Sequence, residues 1–182
     1  KLKILDLGCG GGLVSEGIAK LGADVTGIDF IEENIRVAKK HAKQSKLEIN
    51  YIVKDFEKER LTSKYDVIII FEVLEHLENW KSFLEKIQKN LKPKGVLIAS
   101  TINRNLISKF LTIDLAENLL KWIPLNTHNY YKFIKPEELK DNLTANNFKK
   151  IEFSGLSYNI FKQKWKMNNN KKVNYFCSSF LN

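Results

Sequence analysis

The feature that most constrains this chain is an apolar strand that ends in a carboxylate and runs directly into a glycine turn. Residues 4–12 read Ile-Leu-Asp-Leu-Gly-Cys-Gly-Gly-Gly, and a second apolar strand, residues 25–29, ends at Asp29. Between these strands, apolar or small residues recur at helical spacing, at Leu13, Val14, Gly17, Ile18 and Leu21. Glycine permits positive φ and lets a ligand approach bare backbone. The pattern predicts the first β-α-β unit of a Rossmann-like fold, with a ligand at the turn.

The order of the glycines separates two kinds of ligand. A dinucleotide fingerprint reads G-x-G-x-x-G, whereas this chain reads Asp-Leu-Gly-Cys-Gly-Gly-Gly from Asp6 to Gly12. That arrangement resembles the D-x-G-x-G-x-G signature of class I S-adenosylmethionine methyltransferases. The resemblance implies that Asp6, Gly8 and Gly10 bind this cofactor and that Asp29 accepts both ribose hydroxyls. From the glycines alone, a nicotinamide or flavin site and a turn that binds nothing stay open as alternatives.

Composition excludes several other classes of protein. Lys and Arg total 30 against 21 Asp and Glu, which gives a net charge of +9. No arginine cluster, basic helical stripe or zinc-ligand spacing accompanies this charge, so no nucleic-acid partner is expected and a compositional bias toward Lys explains it. Cys9 and Cys177 form neither a disulfide framework nor a metal-spaced pair, which favours a reducing cytosol. The sequence contains no signal peptide and no apolar run of membrane-spanning length.

The rest of the chain continues the alternation of helices and strands. Further strands are predicted at residues 49–53, 65–71, 96–100, 148–153 and 173–177, the last two partly antiparallel. Together with the first two they predict an α/β fold, a mostly parallel seven-stranded sheet with helices on both faces, in a single domain over residues 1–182. The chain opens at Lys1, directly before the first strand and without an initiator Met. We therefore expect an N-terminal segment to be missing.

A helical insert is predicted at about residues 105–127. One face of its first half carries four apolar residues, Leu106, Ile107, Phe110 and Leu111. Beyond Thr112, polar residues take over the same angular sector, so one straight helix would have an apolar stripe that changes sides. We predict two short helices, with Asp114 as the N-cap of the second, Glu117 at its third position and Pro124 at its end.

Three residues at the carboxyl ends of strands are candidates for the ligand pocket, because ligands of such sheets bind at that edge. They are Phe30, Asp55 and Phe71. Asp55 either accepts the adenine amino group or is a solvated turn residue. Phe71 either lines the adenine or methionine pocket or belongs to the core.

A group of charged residues follows directly after Phe71. If the chain turns helically there, Glu72, Glu75 and His76 fall at i, i+3 and i+4 on one face. Two carboxylates and an imidazole can hold a divalent cation such as Mg²⁺, or they can remove a proton from a substrate. The alternative is a histidine that is merely packed or hydrogen-bonded.

The segments after the fifth strand resemble one family specifically, the ubiquinone biosynthesis O-methyltransferases. The matching segments are Ser100-Thr-Ile-Asn-Arg-Asn105, Trp122-Ile-Pro124, Thr127-His128, Lys132-Phe-Ile-Lys-Pro136, Gly155-Leu-Ser-Tyr-Asn159 and Val173-Asn-Tyr175. They run in order over nearly the whole chain. The resemblance implies S-adenosylmethionine as cofactor and a phenolic hydroxyl of a polyprenylated catechol or demethylubiquinol as methyl acceptor.

The resemblance also implies roles for individual positions. By position, Gly8, Asp29 and Phe71 contact the cofactor, whereas Glu72, Glu75 and His76 match a metal trio proposed in some members. The chain departs from the family pattern at one point. The family has an N-terminal helical segment with an Arg that is thought to meet the cofactor carboxylate, and this chain lacks that segment. For the proton of the phenol, the candidates are His76, His128 and Glu72; a lone histidine such as His128 is alternatively structural.

The apolar insert predicts how a membrane-resident substrate is reached. It can act as a substrate lid or lie in the membrane interface, and ordinary core packing is the alternative. Because a polyprenyl substrate resides in the bilayer and the positive charge attracts anionic lipid, we expect a peripheral protein on the cytoplasmic face of the inner membrane. Contact with other quinone-biosynthesis proteins stays open. So do two other functions: methylation of another small molecule, and a non-catalytic membrane-associated scaffold that retains the cofactor fold.

Overall fold

The computed structural model describes residues 1–119, 127–159 and 164–182. Its strands are β1 (Lys3–Leu7), β2 (Asp24–Asp29), β3 (Asn50–Val53), β4 (Tyr65–Phe71), β5 (Leu91–Ile102), β6 (Phe148–Asn159), β7 (Lys164–Asn168) and β8 (Asn174–Leu181). Its α-helices are α1 (Leu13–Lys20), α2 (Glu32–Gln44), α3 (Trp80–Ile87), α4 (Leu106–Lys109) and α5 (Pro136–Ala145). Helices and strands alternate along the first half of the chain, as the periodicity predicts.

The strands form one sheet in the order β3-β2-β1-β4-β5-β8-β6-β7. β1 to β5 pair in parallel, and β8, β6 and β7 are antiparallel. The Rossmann-like fold is therefore confirmed, but the described residues form eight strands where seven were predicted. The additional strand, β7, is an edge strand with one neighbour, so it lacks the continuous apolar run that marks a buried strand.

The main core lies between the central strands and helices α3 and α5. Leu84 and Ile87 of α3 and Leu139 and Leu143 of α5 are almost fully buried. The Asn79 side chain accepts a hydrogen bond from the backbone N–H of Ser82 and so caps α3 at its N-terminus. This packing fixes β4 and β5, whose carboxyl ends carry the residues that follow Phe71.

α1 buries a different face from the one its apolar spacing suggests. Leu13 and Leu21 are 80% and 88% exposed, whereas Ser15 and Glu16 are buried. The Ser15 hydroxyl donates a 2.6 Å hydrogen bond to the carboxylate of Asp6 at the end of β1. Polar contacts therefore hold α1 against the sheet, and a count of apolar residues does not reveal them.

The insert does not break at Asp114 as predicted. α4 continues directly into a π-helical segment, Phe110–Leu119. The change from i→i+4 to i→i+5 bonding alters the angle between successive residues, so one helix accommodates an apolar stripe that changes sides. The side chains of Asp114 and Glu117, and residues 120–126 with Trp122 and Pro124, lie outside the described residues. None of the described helices is both long and apolar enough to cross a membrane.

Candidate active site

A cavity of about 600 Å³ opens at the carboxyl ends of β1, β2 and β4. The strand order reverses between β1 and β4, which is where ligands of doubly wound sheets bind. Most residues predicted for the site line this cavity, namely Gly8, Gly10, Asp29, Phe30, Asp55, Phe71, Glu72 and His76. Asp6, Glu75 and His128 are not among its lining residues.

Gly8 holds the turn between β1 and α1 in a conformation that only glycine fits. Its φ is +72°, and a Cβ atom at this position would overlap the side chain of Val73. The backbone N–H groups of Gly8 and Cys9 both donate to the carbonyl of Ile28, at 2.8 and 3.0 Å. The turn is therefore bound to the end of β2, and its backbone faces the cavity without a side chain in between.

Asp29, the last residue of β2, is held by three donors. Its Oδ2 accepts a 2.9 Å hydrogen bond from the backbone N–H of Gly10. Its Oδ1 accepts from the backbone N–H of Ile31 at 2.9 Å and from the Asn34 side-chain amide at 3.2 Å. These bonds fix the orientation of a buried carboxylate at the wall of the cavity.

Asp6, predicted to bind the cofactor, lies behind the glycine turn rather than in the cavity. Only 2% of it is exposed. Burial raises the pKa of Asp6 to about 6, an effect that the hydrogen bond from Ser15 opposes and the charge of Asp29 reinforces. Asp6 therefore stabilises the glycine turn indirectly, because its carboxylate accepts the hydrogen bond from Ser15 of α1.

The other side of the cavity combines aromatic side chains with a charged turn. Phe30 is largely exposed, and the ring of Phe71 packs edge-on against Phe176 with centroids 5.3 Å apart. Asp55 forms a 3.0 Å ion pair with Lys58, whose hydrogen bond holds the pKa of Asp55 below its ordinary value. Asp55 is thus a turn residue that also lines the cavity.

Glu72 follows the last residue of β4 in a left-handed conformation, with φ at +53°. This conformation interrupts the predicted helix, which is reduced to a 3₁₀ turn at Leu74–His76. Glu72 Oε1 accepts a 2.6 Å hydrogen bond from the hydroxyl of Ser100, and its Oε2 accepts a 3.0 Å bond from the amide of Asn174. Two strands, β5 and β8, therefore orient this carboxylate toward the cavity.

Glu75 is the buried neighbour of Glu72. Only 3% of it is exposed; its Oε2 accepts from the Thr101 hydroxyl at 2.8 Å, while its Oε1 has no hydrogen-bond partner among the described residues. Burial and, secondarily, the charge of Glu72 raise the pKa of Glu75 to about 8. The protonated form of Glu75 is therefore favoured more strongly than in a solvent-exposed glutamate. Burial also raises the pKa of Glu72, whereas the hydrogen bonds from Ser100 and Asn174 lower it.

His76 and His128 lie side by side, with ring centroids 5.9 Å apart. Burial lowers the pKa of His76, and the neighbouring side chains of His128 and Lys132 act in the same direction. The Lys132 ammonium donates to the backbone carbonyls of His76 and Leu77, at 3.3 and 3.4 Å. The segment that carries His128 and Lys132 is thus fastened to the turn after β4, and a neutral imidazole faces the cavity.

The predicted metal trio is not assembled as a ligand set. In the described part of the chain, no three His, Cys, Asp or Glu side chains lie close enough together to hold a metal ion. The physical reason is the left-handed backbone at Glu72, which removes the i, i+3, i+4 alignment on which the prediction rests.

Sequence reasoning missed two residues that hold the site together and gave a third no role. Asn34 binds Asp29, and Asn174 binds Glu72 across 102 positions. Asn174 lies in the segment Val173-Asn-Tyr175, which carries part of the family resemblance but suggests no contact. Ser100 stands at the carboxyl end of β5, a position that does mark it as near the ligand edge.

Comparisons with known proteins agree with this geometry. The family model of a methyltransferase domain matches residues 1–171. The crystal structure of magnesium protoporphyrin IX methyltransferase from Synechocystis PCC 6803 superposes with a TM-score of 0.73, 22% identity, and coverage of 100% of this chain and 74% of that one. A methyltransferase from Methanosarcina mazei gives 0.72 at 21% identity, covering 100% and 92%. The protein is a class I S-adenosylmethionine-dependent methyltransferase.

Curated relatives narrow this class. A ubiquinone biosynthesis O-methyltransferase of Rickettsia canadensis (strain McKiel) is 44% identical over 176 residues, which are 97% of this chain and 75% of the relative. The enzyme of the same name from Pelagibacter ubique (strain HTCC1062) is 42% identical over 181 residues, covering 100% and 75%. The chain belongs to the ubiquinone biosynthesis O-methyltransferase family.

Proposed function

We propose that this protein transfers a methyl group from S-adenosylmethionine to a phenolic hydroxyl of a polyprenylated catechol or demethylubiquinol. The relatives that carry this name support the substrate class. The single observation that carries the proposal is that Glu72 and His76 line the same cavity as Gly8, Gly10 and Asp29. A group that can take a proton therefore shares one cavity with a turn and a carboxylate suited to the cofactor.

Gly8, Gly10 and Asp29 would hold the cofactor. The two glycines leave room for it against the backbone, and Asp29 presents a fixed carboxylate to a ribose diol. Phe30 and Phe71 offer apolar faces to the adenine or methionine part. Asp55, which lines the cavity and pairs with Lys58, is a candidate partner of the adenine amino group. When bound, S-adenosylmethionine supplies a methyl group on a sulfonium, and the protein aligns it with the acceptor oxygen.

Glu72 is the proposed proton acceptor. A phenol is a poor nucleophile until it loses its proton, and of the neighbouring carboxylates Glu72 and Glu75 it is Glu72 that lines the cavity. Ser100 and Asn174 keep its two oxygens in place, and the burial of Glu75 beside it favours the uncharged form of that neighbour. His76 lines the same cavity in its neutral form and is the second candidate, and His128 packs against it as an orienting group.

A divalent cation at Glu72, Glu75 and His76 stays a prediction. No group of three side chains that could hold a metal ion is found among the described residues, and burial favours the protonated form of Glu75, which binds a cation poorly.

The insert is the proposed membrane contact. Leu106, Ile107 and Phe110 are 77%, 47% and 57% exposed, which is unusual for neighbouring apolar residues unless another surface covers them. Asn103 and Asn105 tie the start of this helix to the turn before β8 by bonds of 2.7 Å to the carbonyls of Lys171 and Lys172. An apolar helix on a fixed base, in a protein of net charge +9, suits the interface of an anionic bilayer.

Methyl transfer tests the proposed function. Labelled S-adenosylmethionine and a short-chain demethylubiquinol are incubated with the protein, with Glu72→Gln, and with Glu78→Gln as a matched control outside the cavity, each with and without chelator. We expect wild type and Glu78→Gln to form product, Glu72→Gln to lose most of it, and chelator to have no effect. Loss of product with chelator would restore the metal prediction. No product from wild-type protein that binds the cofactor would contradict the quinol substrate and favour another small molecule or a scaffold.

Sedimentation with vesicles tests the membrane contact. Leu106→Ser should reduce binding to vesicles that contain phosphatidylglycerol, because it removes an exposed apolar side chain from the insert. Leu21→Ser, at an equally exposed apolar position on α1, is the control and should leave binding unchanged. Equal binding by both variants and wild type would contradict the proposal.

A further inference from the structure

Asn34 is a polar residue of α2 that lines the cavity. It is the third residue of α2, is half-buried and lines the same cavity as Asp29. Its side-chain amide donates to Asp29 Oδ1 at 3.2 Å. Because it is polar, faces the cavity and binds the carboxylate proposed to take the ribose, its amide is placed to affect what that carboxylate recognises.

The hydrogen-bonding capacity of Asp29 is nearly used up by the protein itself. Each carboxylate oxygen has two lone pairs and accepts about two hydrogen bonds. Oδ1 already accepts from Ile31 N–H and from the Asn34 amide, and Oδ2 accepts from Gly10 N–H. One acceptor position is left, whereas a ribose diol brings two hydroxyl donors. Asp29 cannot accept both hydroxyls unless one of its present donors moves away.

Asn34 is the donor that can move. The N–H groups of Gly10 and Ile31 belong to the backbone, and their directions are set by the glycine turn and the start of α2. The Asn34 side chain rotates about its own bonds at little cost. When its amide leaves Oδ1, that oxygen is free for a hydroxyl, and the amide has both a carbonyl acceptor and N–H donors to offer the neighbouring hydroxyl.

We propose that Asn34 exchanges its hydrogen bond with Asp29 for one with a ribose hydroxyl of the cofactor, so that a carboxylate and an amide together read the diol. This inference rests on the proposed assignment of Asp29 to the ribose. It adds a specificity-determining contact on α2 and a side-chain movement that accompanies cofactor binding.

Affinities measured by calorimetry test the exchange. Asn34→Leu keeps the volume of the side chain and removes its hydrogen bonds, and leucine suits a helix. We expect this variant to bind S-adenosylhomocysteine about 5- to 20-fold more weakly, the effect of one or two lost hydrogen bonds. It should bind the 2′,3′-dideoxy analogue within about twofold of wild type. Asn50→Leu, at an exposed position outside the cavity, is the control and should bind both ligands as wild type does.

The same measurement in an Asp29→Asn background separates a direct contact from an indirect one. If Asn34 touches the ribose, Asn34→Leu should still weaken S-adenosylhomocysteine binding in that background. If the effect disappears there, Asn34 acts only through Asp29 and the proposal is wrong. Unchanged or tighter binding by Asn34→Leu, or an equal loss for the dideoxy analogue, would also overturn it. If Asp29→Asn alone keeps full affinity and diol selectivity, the ribose assignment itself fails, and the inference fails with it.

Discussion

Asp29 and Glu72 stand at the carboxyl ends of two strands of the same sheet, yet they are held in different ways. The donors to Asp29 come from 19, 2 and 5 positions away, and two of them are backbone N–H groups. The donors to Glu72 are side chains of Ser100 and Asn174, 28 and 102 positions away. The cofactor end of the cavity is therefore built by local sequence, and the end with the proton acceptor is built by the tertiary fold.

Gly8→Ala, at the cofactor end of the cavity, should have the largest effect on stability. An alanine at φ +72° is strained and would overlap Val73, so we expect a loss of about 3 kcal/mol in the free energy of unfolding. Gly17→Ala is the matched control, since nothing lies within 4 Å of a Cβ atom there and it is in a helix. It should gain about 0.5–1 kcal/mol. Urea unfolding measures both; equal stability of the two variants would contradict this description of the turn.

Glu75→Gln tests the end of the cavity with the proton acceptor through the pH dependence of stability. The pKa of Glu75 is 4.5 ordinarily and about 8 in the fold, so between these values the folded protein keeps a proton that the unfolded chain releases. The free energy of unfolding of wild type therefore falls as pH rises through this window. Because glutamine does not ionise, the free energy of unfolding of the variant should rise relative to that of wild type as the pH goes from 5 to 9. Urea unfolding at both pH values would reveal a constant difference if the account is wrong.

Asn174→Ala should lower turnover about 3- to 10-fold at saturating substrates, because one of the two bonds that orient Glu72 is lost. Its affinity for S-adenosylhomocysteine should stay as in wild type, since the local end is untouched. Asn174→Ser, which keeps a donor, should recover part of the rate. A loss of cofactor affinity without a loss of turnover would contradict the assignment of Glu72 and Asn174 to the proton-acceptor end of the cavity.

Arg36→Ala should have the smallest effect. Arg36 pairs with Glu33 at 2.6 Å on the surface of α2, where both side chains are mostly exposed and solvent screens the pair. The midpoint of thermal unfolding should shift by less than about 1 °C. A larger shift would mean that exposed ion pairs on α2 stabilise the cofactor end of the cavity more than its backbone hydrogen bonds do.

The same division explains which parts of the molecule the sequence predicts. The sequence predicts the glycine turn, Asp29 and the parallel strands. Each of these features depends on neighbouring residues and on a short repeat of apolar positions. The pairing of Asn174 with Glu72 depends on β8 lying beside β5, which no local pattern encodes. The helical turn considered for residues 72–76 forms only from Leu74 to His76 for the same reason, since Ser100 on β5 binds both the backbone N–H and the carboxylate of Glu72.

Two other differences come from properties that apolar periodicity does not represent. Ser15 faces the sheet because it binds Asp6, and Glu16 is buried where it accepts a hydrogen bond from Ser45, although the apolar residues of α1 suggest the opposite face. The insert stays helical through Asp114 because its winding widens, whereas the prediction assumes a constant period of 3.6 residues.

One comparison tests the division of the site most directly: Asp29→Asn and Glu72→Gln, each measured for S-adenosylhomocysteine affinity and for the rate of a single methyl transfer at saturating cofactor. The account predicts that Asp29→Asn loses at least about tenfold in affinity but keeps most of its transfer rate. Glu72→Gln should keep its affinity and lose about 100-fold or more in rate, the usual contribution of a general base. The opposite pattern, with affinity lost at Glu72 and rate lost at Asp29, would contradict the assignment of both ends.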